Sequence, residues 1–534
     1  MQLLVRRAVL LMLFLATLAA CPFHGQAQDL DKLLESARAA QFNGDYAGAS
    51  KFYSRATGLA PASAELWANR GMVEYLADQF DASAASLKHA LQLDPSLFAP
   101  LLFLGKTYVQ TGKPAQALPY LNRAHSQRPK DSEVLLGLGK ANAALNRQRQ
   151  AVTFYTEATQ VSPENAEAWL GLGAATLEVI TEDGRNLAVS AAHSNWARAL
   201  YADELFAQGR PLEASDTYKA ALDESSSVQK AIFSRTLGLM QSRPDLFPLP
   251  PNSREALQRL GAQLKADKIE AALPLCAPAE RGRQPNPGPM ADAACAYWAG
   301  DYERSAAQSW KALRQSPQTA EALYWSVKAN ERLAVAALSR FEDIAPKSPT
   351  NYDLVGDLYR DRRDADSALN EYKKALAIDG HDPAALMGAA AAYLSVGNFA
   401  EAASMDQVAL DDRPLDPQLN LLMAEALVGR AHFDQAKSYL AKCLIVPPEL
   451  QSKVHYLLGR VAREDGDKNE AIHQFELALP GDKDGGTHYM LSRLYRETGN
   501  LVQSQRALAG AQALIKKRNA NAAIDLREAT STAP

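Results

Sequence analysis

FAPLLFLGKTYVQTGKPAQALPYLNRAHSQRP, residues 98–129, decides the fold of this chain. Apolar residues recur in it at spacings of three and four, first before Gly112 and again after it, which is the pattern of two amphipathic helices joined by a turn. Gly105 and Ala117 provide small side chains where the two helices would cross, and Pro129 would end the second helix. The stretch therefore predicts a helical hairpin.

The hairpin pattern repeats along the chain. Closing prolines lie 34 residues apart, at Pro61, Pro95, Pro129 and Pro163. The residues that then align in the three clearest units are Trp67, Gly71, Leu87 and Ala90; Leu101, Leu104, Gly105, Tyr108, Ala117, Leu121 and Ala124; and Leu135, Leu138, Gly139, Ala151, Tyr155 and Ala158. The pattern resembles the tetratricopeptide repeat, which implies an all-α solenoid of stacked helical hairpins.

Two Gly-Leu-Gly triplets, at 137–139 and 171–173, suggest either a phosphate-binding loop or close helix packing. Gly139 and Gly173 both fall at the eighth position of a unit, inside its first helix. A dinucleotide loop would need a preceding strand, and no alternating β-branched run precedes either site. The triplets therefore indicate packing.

Two arrays are expected, with an irregular joint between them. The N-terminal array covers 29–222, the Pro-rich joint 223–289, the C-terminal array 290–515, and a frayed or disordered tail 516–534. The joint is read as irregular because the repeat period disappears there and prolines cluster in it. One helix is predicted within it, from Arg254 to Ala272.

The first 27 residues predict an export signal. Two arginines precede an apolar run from Ala8 to Ala20, which at about 1.5 Å per residue is too short to span a membrane. LAAC at 18–21 resembles the bacterial lipobox, in which Cys21 would carry a lipid anchor, whereas GQA at 25–27 fits ordinary cleavage. We expect an exported chain, either an outer-membrane lipoprotein facing the periplasm or a free periplasmic or secreted protein.

Three further cysteines follow Cys21. Cys276 and Cys295 flank a Pro-rich loop, where oxidation to a disulfide is favoured in an exported protein. Such a bridge would stabilise the fold by roughly 3 kcal/mol, and two free thiols are the alternative. Cys443 occupies a position that alanine normally fills, which predicts a buried spacer.

Composition and motifs argue against nucleic-acid binding and catalysis. The chain has 534 residues, 22% of them charged, and a formal net charge of −4, so it carries no basic excess. Its nine histidines form no ligand pair, and neither a G-x-S-x-G elbow nor a Walker loop is present. We expect no metal, no cofactor and no enzymatic activity.

The resemblance implies a concave groove lined by positions 2, 5, 9 and 12 of each first helix. Those positions hold Glu65, Ala68, Met72 and Tyr75; Ala99, Leu102, Lys106 and Val109; Glu133, Leu136, Lys140 and Ala143; Glu167, Leu170, Ala174 and Leu177. The residues predicted to bind a partner are Met72, Tyr75, Leu102, Lys106, Leu136 and Lys140. Such a surface suits an extended peptide or an amphipathic helix, although either lysine taken alone also fits an ordinary solvated charge.

Three functions are compatible with this sequence. The leading interpretation is a non-catalytic scaffold of the bacterial cell envelope that binds another protein in its groove. The second is an accessory or targeting subunit of a polysaccharide, glycan-transfer or secretion system whose catalysis lies on another chain. A weaker third places a small-ligand or catalytic site in the joint, where the repeat rules fail.

Overall fold

The computed structural model describes residues 21–243, 247, 249–266, 276, 288–361, 363–443 and 446–530. These residues form 26 α-helices and no β-strand. The described chain is an all-α solenoid built from helical hairpins, which confirms the predicted fold class.

The helices alternate with short turns along the chain. The first thirteen are α1 (Cys21–Phe42), α2 (Tyr46–Leu59), α3 (Ala64–Leu76), α4 (Phe80–Leu93), α5 (Phe98–Gln110), α6 (Pro114–Gln127), α7 (Ser132–Ala144), α8 (Gln148–Val161), α9 (Ala166–Ser190), α10 (Asn195–Ala207), α11 (Pro211–Asp223), α12 (Ser227–Ser242) and α13 (Pro251–Ala266). The others are α14 (Gly288–Ala299), α15 (Tyr302–Gln315), α16 (Ala320–Ile344), α17 (Pro349–Asp361), α18 (Ala365–Ile378), α19 (Pro383–Ser395), α20 (Phe399–Asp412), α21 (Pro417–Gly429), α22 (Phe433–Leu440), α23 (Pro448–Glu464), α24 (Lys468–Ala478), α25 (Gly486–Glu497) and α26 (Leu501–Thr530).

The 34-residue interval of the sequence reappears in the helix boundaries. Helices α3, α5, α7 and α9 begin at residues 64, 98, 132 and 166, and α17, α19 and α21 begin at 349, 383 and 417. Counting each of these first residues as position 1 gives every repeat a common numbering, which is used below.

Local sequence fixes both ends of a first helix. Asp131 caps α7 by accepting a hydrogen bond from the Val134 amide at 3.2 Å, and Asn165 caps α9 by accepting one from Ala168 at 3.1 Å. The turn into the second helix passes through a left-handed residue, Gly112 with φ +67° or Asn146 with φ 55°. Glycine and asparagine are the residues that tolerate this conformation best.

The glycines of the two triplets are packing residues. A Cβ added to Gly139 would lie 2.6 Å from a ring carbon of Tyr155, and one added to Gly171 would lie 2.5 Å from the same ring. Gly173 faces Leu338, 2.6 Å from such a Cβ. Since a Cβ at these distances would force the neighbouring side chains to move, glycine lets the helices approach closely, and the packing interpretation is confirmed.

The chain divides into two compact units. The first extends to Ala197 and also includes Leu273–Ile344; the second comprises Arg198–Ala272 and the residues from Ala345 onward. Within the first unit, the 25-residue helices α9 and α16 form the most extensive helix pair of the described residues. The 34-residue period predicts contacts between repeats that are adjacent in the sequence. It could not predict this pairing, because α9 and α16 belong to distant repeats.

Two segments are more helical than the sequence analysis predicted. The joint was assigned one helix, but it contains α12 as well as α13, and α13 begins at Pro251 instead of Arg254. Helix α12 lies outside the 34-residue period, yet Ser226 forms a capping box with Gln229 and Phe233 is fully buried. The predicted disordered tail is helical as far as Thr530, because no glycine or proline interrupts 511–530.

None of the helices in the described residues is long and apolar enough to cross a bilayer. Residues 1–20, which form most of the predicted signal, lie outside the described residues. Cys21 is the first residue of α1, but no side chain is described before Asp29. The export signal and the lipidation of Cys21 therefore stay predictions.

Candidate peptide-binding groove

The first helices of consecutive repeats enclose a pocket of about 150 Å³ in the first unit. It will be called the groove pocket. Its lining residues are Tyr75, Lys106, Val109, Gln110, Glu133, Leu136, Gly137, Lys140 and Glu167. They come from α3, α5, α7 and α9, so four repeats contribute to one depression.

One wall of the groove pocket is aromatic. The rings of Tyr75 and Phe103 meet edge to face with their centroids 5.4 Å apart. The Lys106 ammonium lies 5.7 Å from the Tyr75 centroid and 5.6 Å from the Phe103 centroid. A cation at this distance from an aromatic face is attracted to the ring, so Lys106 is held against the wall.

Ion pairs between neighbouring repeats form the rim of the pocket. Lys106 of α5 donates to Glu133 of α7 over 2.7 Å, and Lys140 of α7 pairs with Glu167 of α9. Both pairs join position 9 of one repeat to position 2 of the next. Their side chains are between 26% and 53% exposed, so each charge is paired but still accessible from the groove.

The six residues predicted to bind a partner divide into two groups. Tyr75, Lys106, Leu136 and Lys140 line the groove pocket together. Met72 is half-buried against the core of α4–α7, and Leu102 is only 7% exposed within that core. Leu102 therefore offers almost no surface to a partner, and Leu136, which also occupies position 5 and borders the pocket, is only 4% exposed, because the helices turn this position inward.

Two lining residues were missed by the sequence analysis. Gln110 and Gly137 occupy positions 13 and 6, outside the four positions that the family pattern assigns to the groove. Gln110 ends α5 and is exposed, whereas Gly137 opens space because it has no side chain. The recurrence of lysine at position 9 and glutamate at position 2 was the available signal for the ion pairs.

The cysteines of the described residues lie outside the groove pocket. The Sγ atoms of Cys276 and Cys295 are bonded, with their Cα atoms 5.5 Å apart. Cys443 is a buried free thiol, and burial raises its pKa to about 11. Among the described residues, no three His, Cys, Asp or Glu side chains form a group that could hold a metal ion.

This geometry defines a protein built from helical repeats. Two tetratricopeptide-repeat family models match the chain, one at residues 74–140 and 359–425 and the other at 34–97. The chain therefore contains tetratricopeptide repeats in both halves. No curated protein matches it.

Solved structures of bacterial repeat proteins resemble short parts of the chain. MamA from Desulfovibrio magneticus RS-1 is 15% identical over 28% of this chain and 84% of its own, with a TM-score of 0.27. YrrB, described as a tetratricopeptide protein with an unusual peptide-binding site, is 23% identical over 26% and 72%, with a TM-score of 0.24. TTC0263, a protein of Thermus thermophilus, is 22% identical over 34% and 97%, with a TM-score of 0.28. Scores this low carry no argument about function.

Proposed function

We propose that this chain is a non-catalytic scaffold that binds a peptide segment of another protein in the groove pocket. Tetratricopeptide repeats generally mediate interactions between proteins. The observation that supports the groove pocket is the convergence of Tyr75, Lys106, Leu136 and Lys140 from successive repeats on one depression.

The chemistry of the pocket suits one apolar side chain with polar neighbours. A volume of about 150 Å³ corresponds to a cavity that accepts a single benzene-sized group. Val109 supplies accessible apolar surface beside the largely buried Leu136, and the Tyr75 ring supplies an aromatic wall. The exposed Gln110 amide can donate to and accept from an extended peptide backbone.

The charges at the rim are paired with each other, which favours selectivity for the partner's pattern of charges over strong attraction of any charged peptide. Each lysine already has a glutamate partner, so the rim is close to neutral and does not select strongly for acidic or basic peptides. A partner that carries one acid and one base at the correct separation could exchange partners with the Lys106–Glu133 pair. A partner with a single charge would leave one rim charge unpaired and would bind more weakly.

Selection of a random peptide library on the purified chain tests this proposal. Selected peptides should share an apolar anchor residue, and the double variant Tyr75→Ala, Lys106→Glu should weaken their binding at least tenfold in fluorescence anisotropy. Lys51→Glu is the matched charge reversal, because Lys51 is exposed on α2 and does not line the pocket. Equal affinities for all three proteins would rule out the groove pocket.

We also propose that the scaffold acts in the bacterial cell envelope, on the support of the sequence features of residues 1–27 alone. Lipidation of Cys21 would anchor it to a membrane, and ordinary cleavage would release it. Incorporation of labelled palmitate that disappears in Cys21→Ser would support the anchor. Label in neither protein, with the chain recovered from the periplasm, would support cleavage.

A further inference from the structure

One repeat of the second unit departs from the packing pattern of the repeats on either side of it. Position 24 of a repeat is the residue of the second helix that packs against the small residue at position 8. In other repeats it is a large, buried residue, namely Leu87, Leu121, Tyr155, Tyr372 and Leu440. In the repeat formed by α19 and α20, position 24 is Asp406.

Asp406 has the burial of a core residue without the partners of a polar one. The residue is 0% exposed, no side chain of the described residues donates to either carboxyl oxygen, and the Met423 backbone amide is the group that favours its charged form. It lies on α20 between Ala403 and Ala409, which belong to the apolar core of α19–α23. A carboxylate in such surroundings is strongly disfavoured, whereas a neutral carboxylic acid costs far less to bury.

A neighbouring negative charge opposes the ionisation of Asp406 as well. Asp416 caps α21 by accepting hydrogen bonds from the Gln418 and Leu419 amides, and its negative charge acts on Asp406. Arg413, which follows α20, pairs with Asp416 through its Nη1 at 3.2 Å. Burial raises the pKa of Asp406 to about 8, Asp416 adds to the rise, and the Met423 amide opposes it.

The preceding repeat contains a second buried carboxyl beside a capping aspartate, at position 5 of its first helix. Asp353 of α17 is 5% exposed, and its Oδ1 has no hydrogen-bond partner. It faces Asp382, which caps α19 as Asp416 caps α21, 34 residues later. Asp357 on its own helix adds a further negative charge.

We propose that the repeats from α17 to α21 form a proton-dependent element, in which Asp406 must carry a proton for α20 to pack against α19 and α21. Loss of that proton leaves a buried carboxylate with no counter-charge beside the Asp416 carboxylate. The repeat then loosens, because moving α20 outward is the way to hydrate the charge. Proton release and local opening are therefore linked, independently of any peptide bound in the first unit.

Hydrogen exchange of the full chain tests the linkage. The opening constant of 399–412 would be measured by mass spectrometry between pH 5 and pH 9, after correction for the intrinsic exchange rate. A carboxyl group whose pKa is higher in the folded than in the unfolded state contributes its full stabilisation of the fold below the unfolded pKa of about 4. This contribution falls as the pH rises and stops falling above the folded pKa. The wild-type opening constant should thus rise by up to about tenfold per pH unit towards pH 8 and then level off.

Three variants decide the outcome. Asp406→Leu restores the residue type of the other repeats and Asp406→Asn keeps the size without the charge, so either one that folds should show a flat opening constant. Glu401→Gln, at an exposed position of α20, should keep the wild-type slope. A wild-type constant that runs parallel to those of the Asp406 variants across this range would overturn the proposal.

Discussion

Asp183 and Asp406 are both fully buried carboxyls, one in each compact unit, and they differ in what surrounds them. Asp183 of α9 accepts hydrogen bonds from the Arg149 guanidinium and from Ser326 Oγ, the latter at 2.6 Å. Within the described part of the chain, Asp406 has neither a counter-charge nor a side-chain donor, and the Met423 backbone amide is the group that favours its charged form. Burial raises the pKa of both, but at Asp183 the positive charge of Arg149 opposes that rise.

The difference in partners separates two behaviours of a buried carboxyl, one that stabilises a core and one that responds to pH. A carboxyl with a counter-charge and a hydroxyl donor can remain part of a stable core, and the network here includes Trp310, whose Nε1 donates to Ser326 Oγ at 2.9 Å. It links α8 and α9 to α15 and α16. A carboxyl without partners instead makes its repeat sensitive to protons. The partners, and not burial alone, decide which behaviour follows.

The largest effect is expected when the paired Asp183 carboxyl is deprived of its counter-charge, so that it resembles the unpaired Asp406 carboxyl. Arg149→Met removes the counter-charge and leaves Asp183 buried, which should cost about 3 kcal/mol in free energy of unfolding, near the lower end for a broken buried pair because the arginine is partly exposed. Urea unfolding followed by circular dichroism measures it. Adding Asp183→Asn to Arg149→Met should recover part of the loss; no recovery would mean that the ion pair is not the cause.

A smaller effect is expected where a repeat obeys the packing rule. Gly139→Ala places a methyl group within 2.6 Å of the Tyr155 ring and should cost about 1–3 kcal/mol. Gly58→Ala is the matched control, because a Cβ at Gly58 meets nothing within 4 Å, and it should stabilise α2 by up to about 1 kcal/mol. Similar thermal shifts of equal sign for both variants would contradict the packing account.

The smallest effect per pH unit is expected at Asp353, where burial and, to a lesser degree, the neighbouring Asp382 and Asp357 raise the pKa to about 7. Wild-type stability should fall relative to Asp353→Asn by at most about 1.4 kcal/mol per pH unit between about pH 4 and pH 7, and no further above that range. Urea unfolding of both proteins at pH 5 and pH 8 measures the change. A difference that is the same at both pH values would show that Asp353 does not titrate in this range.

Much of the fold was predictable because small residues and turn residues recur at fixed intervals. Gly139 and Tyr155 carried the packing signal, and the 34-residue spacing gave the helix register. The pairing of α9 with α16 was not predictable, since Asp183 and Ser326 are 143 residues apart in the sequence. Helix α12 was missed because it is held by ordinary apolar burial and a capping box instead of the repeat residues.

The candidate site was predicted in part for the same reason. Family positions identified Tyr75, Lys106 and Lys140, but they also selected Leu102, because a fixed position does not report how far a helix is rotated into its core. Asp406 could have been noticed in the sequence as an acid at position 24. Its missing partners, however, are visible only once the neighbouring helices are in place.

Site-specific photocrosslinking tests the central claim, that the groove pocket binds another protein, most directly. p-Benzoylphenylalanine would be introduced at position 75 in living cells, and at position 51 of α2 as the control. We expect a covalent adduct with a second protein from position 75 only, lost when Lys106→Glu is added. No adduct from position 75, or the same adduct from both positions, would contradict the account.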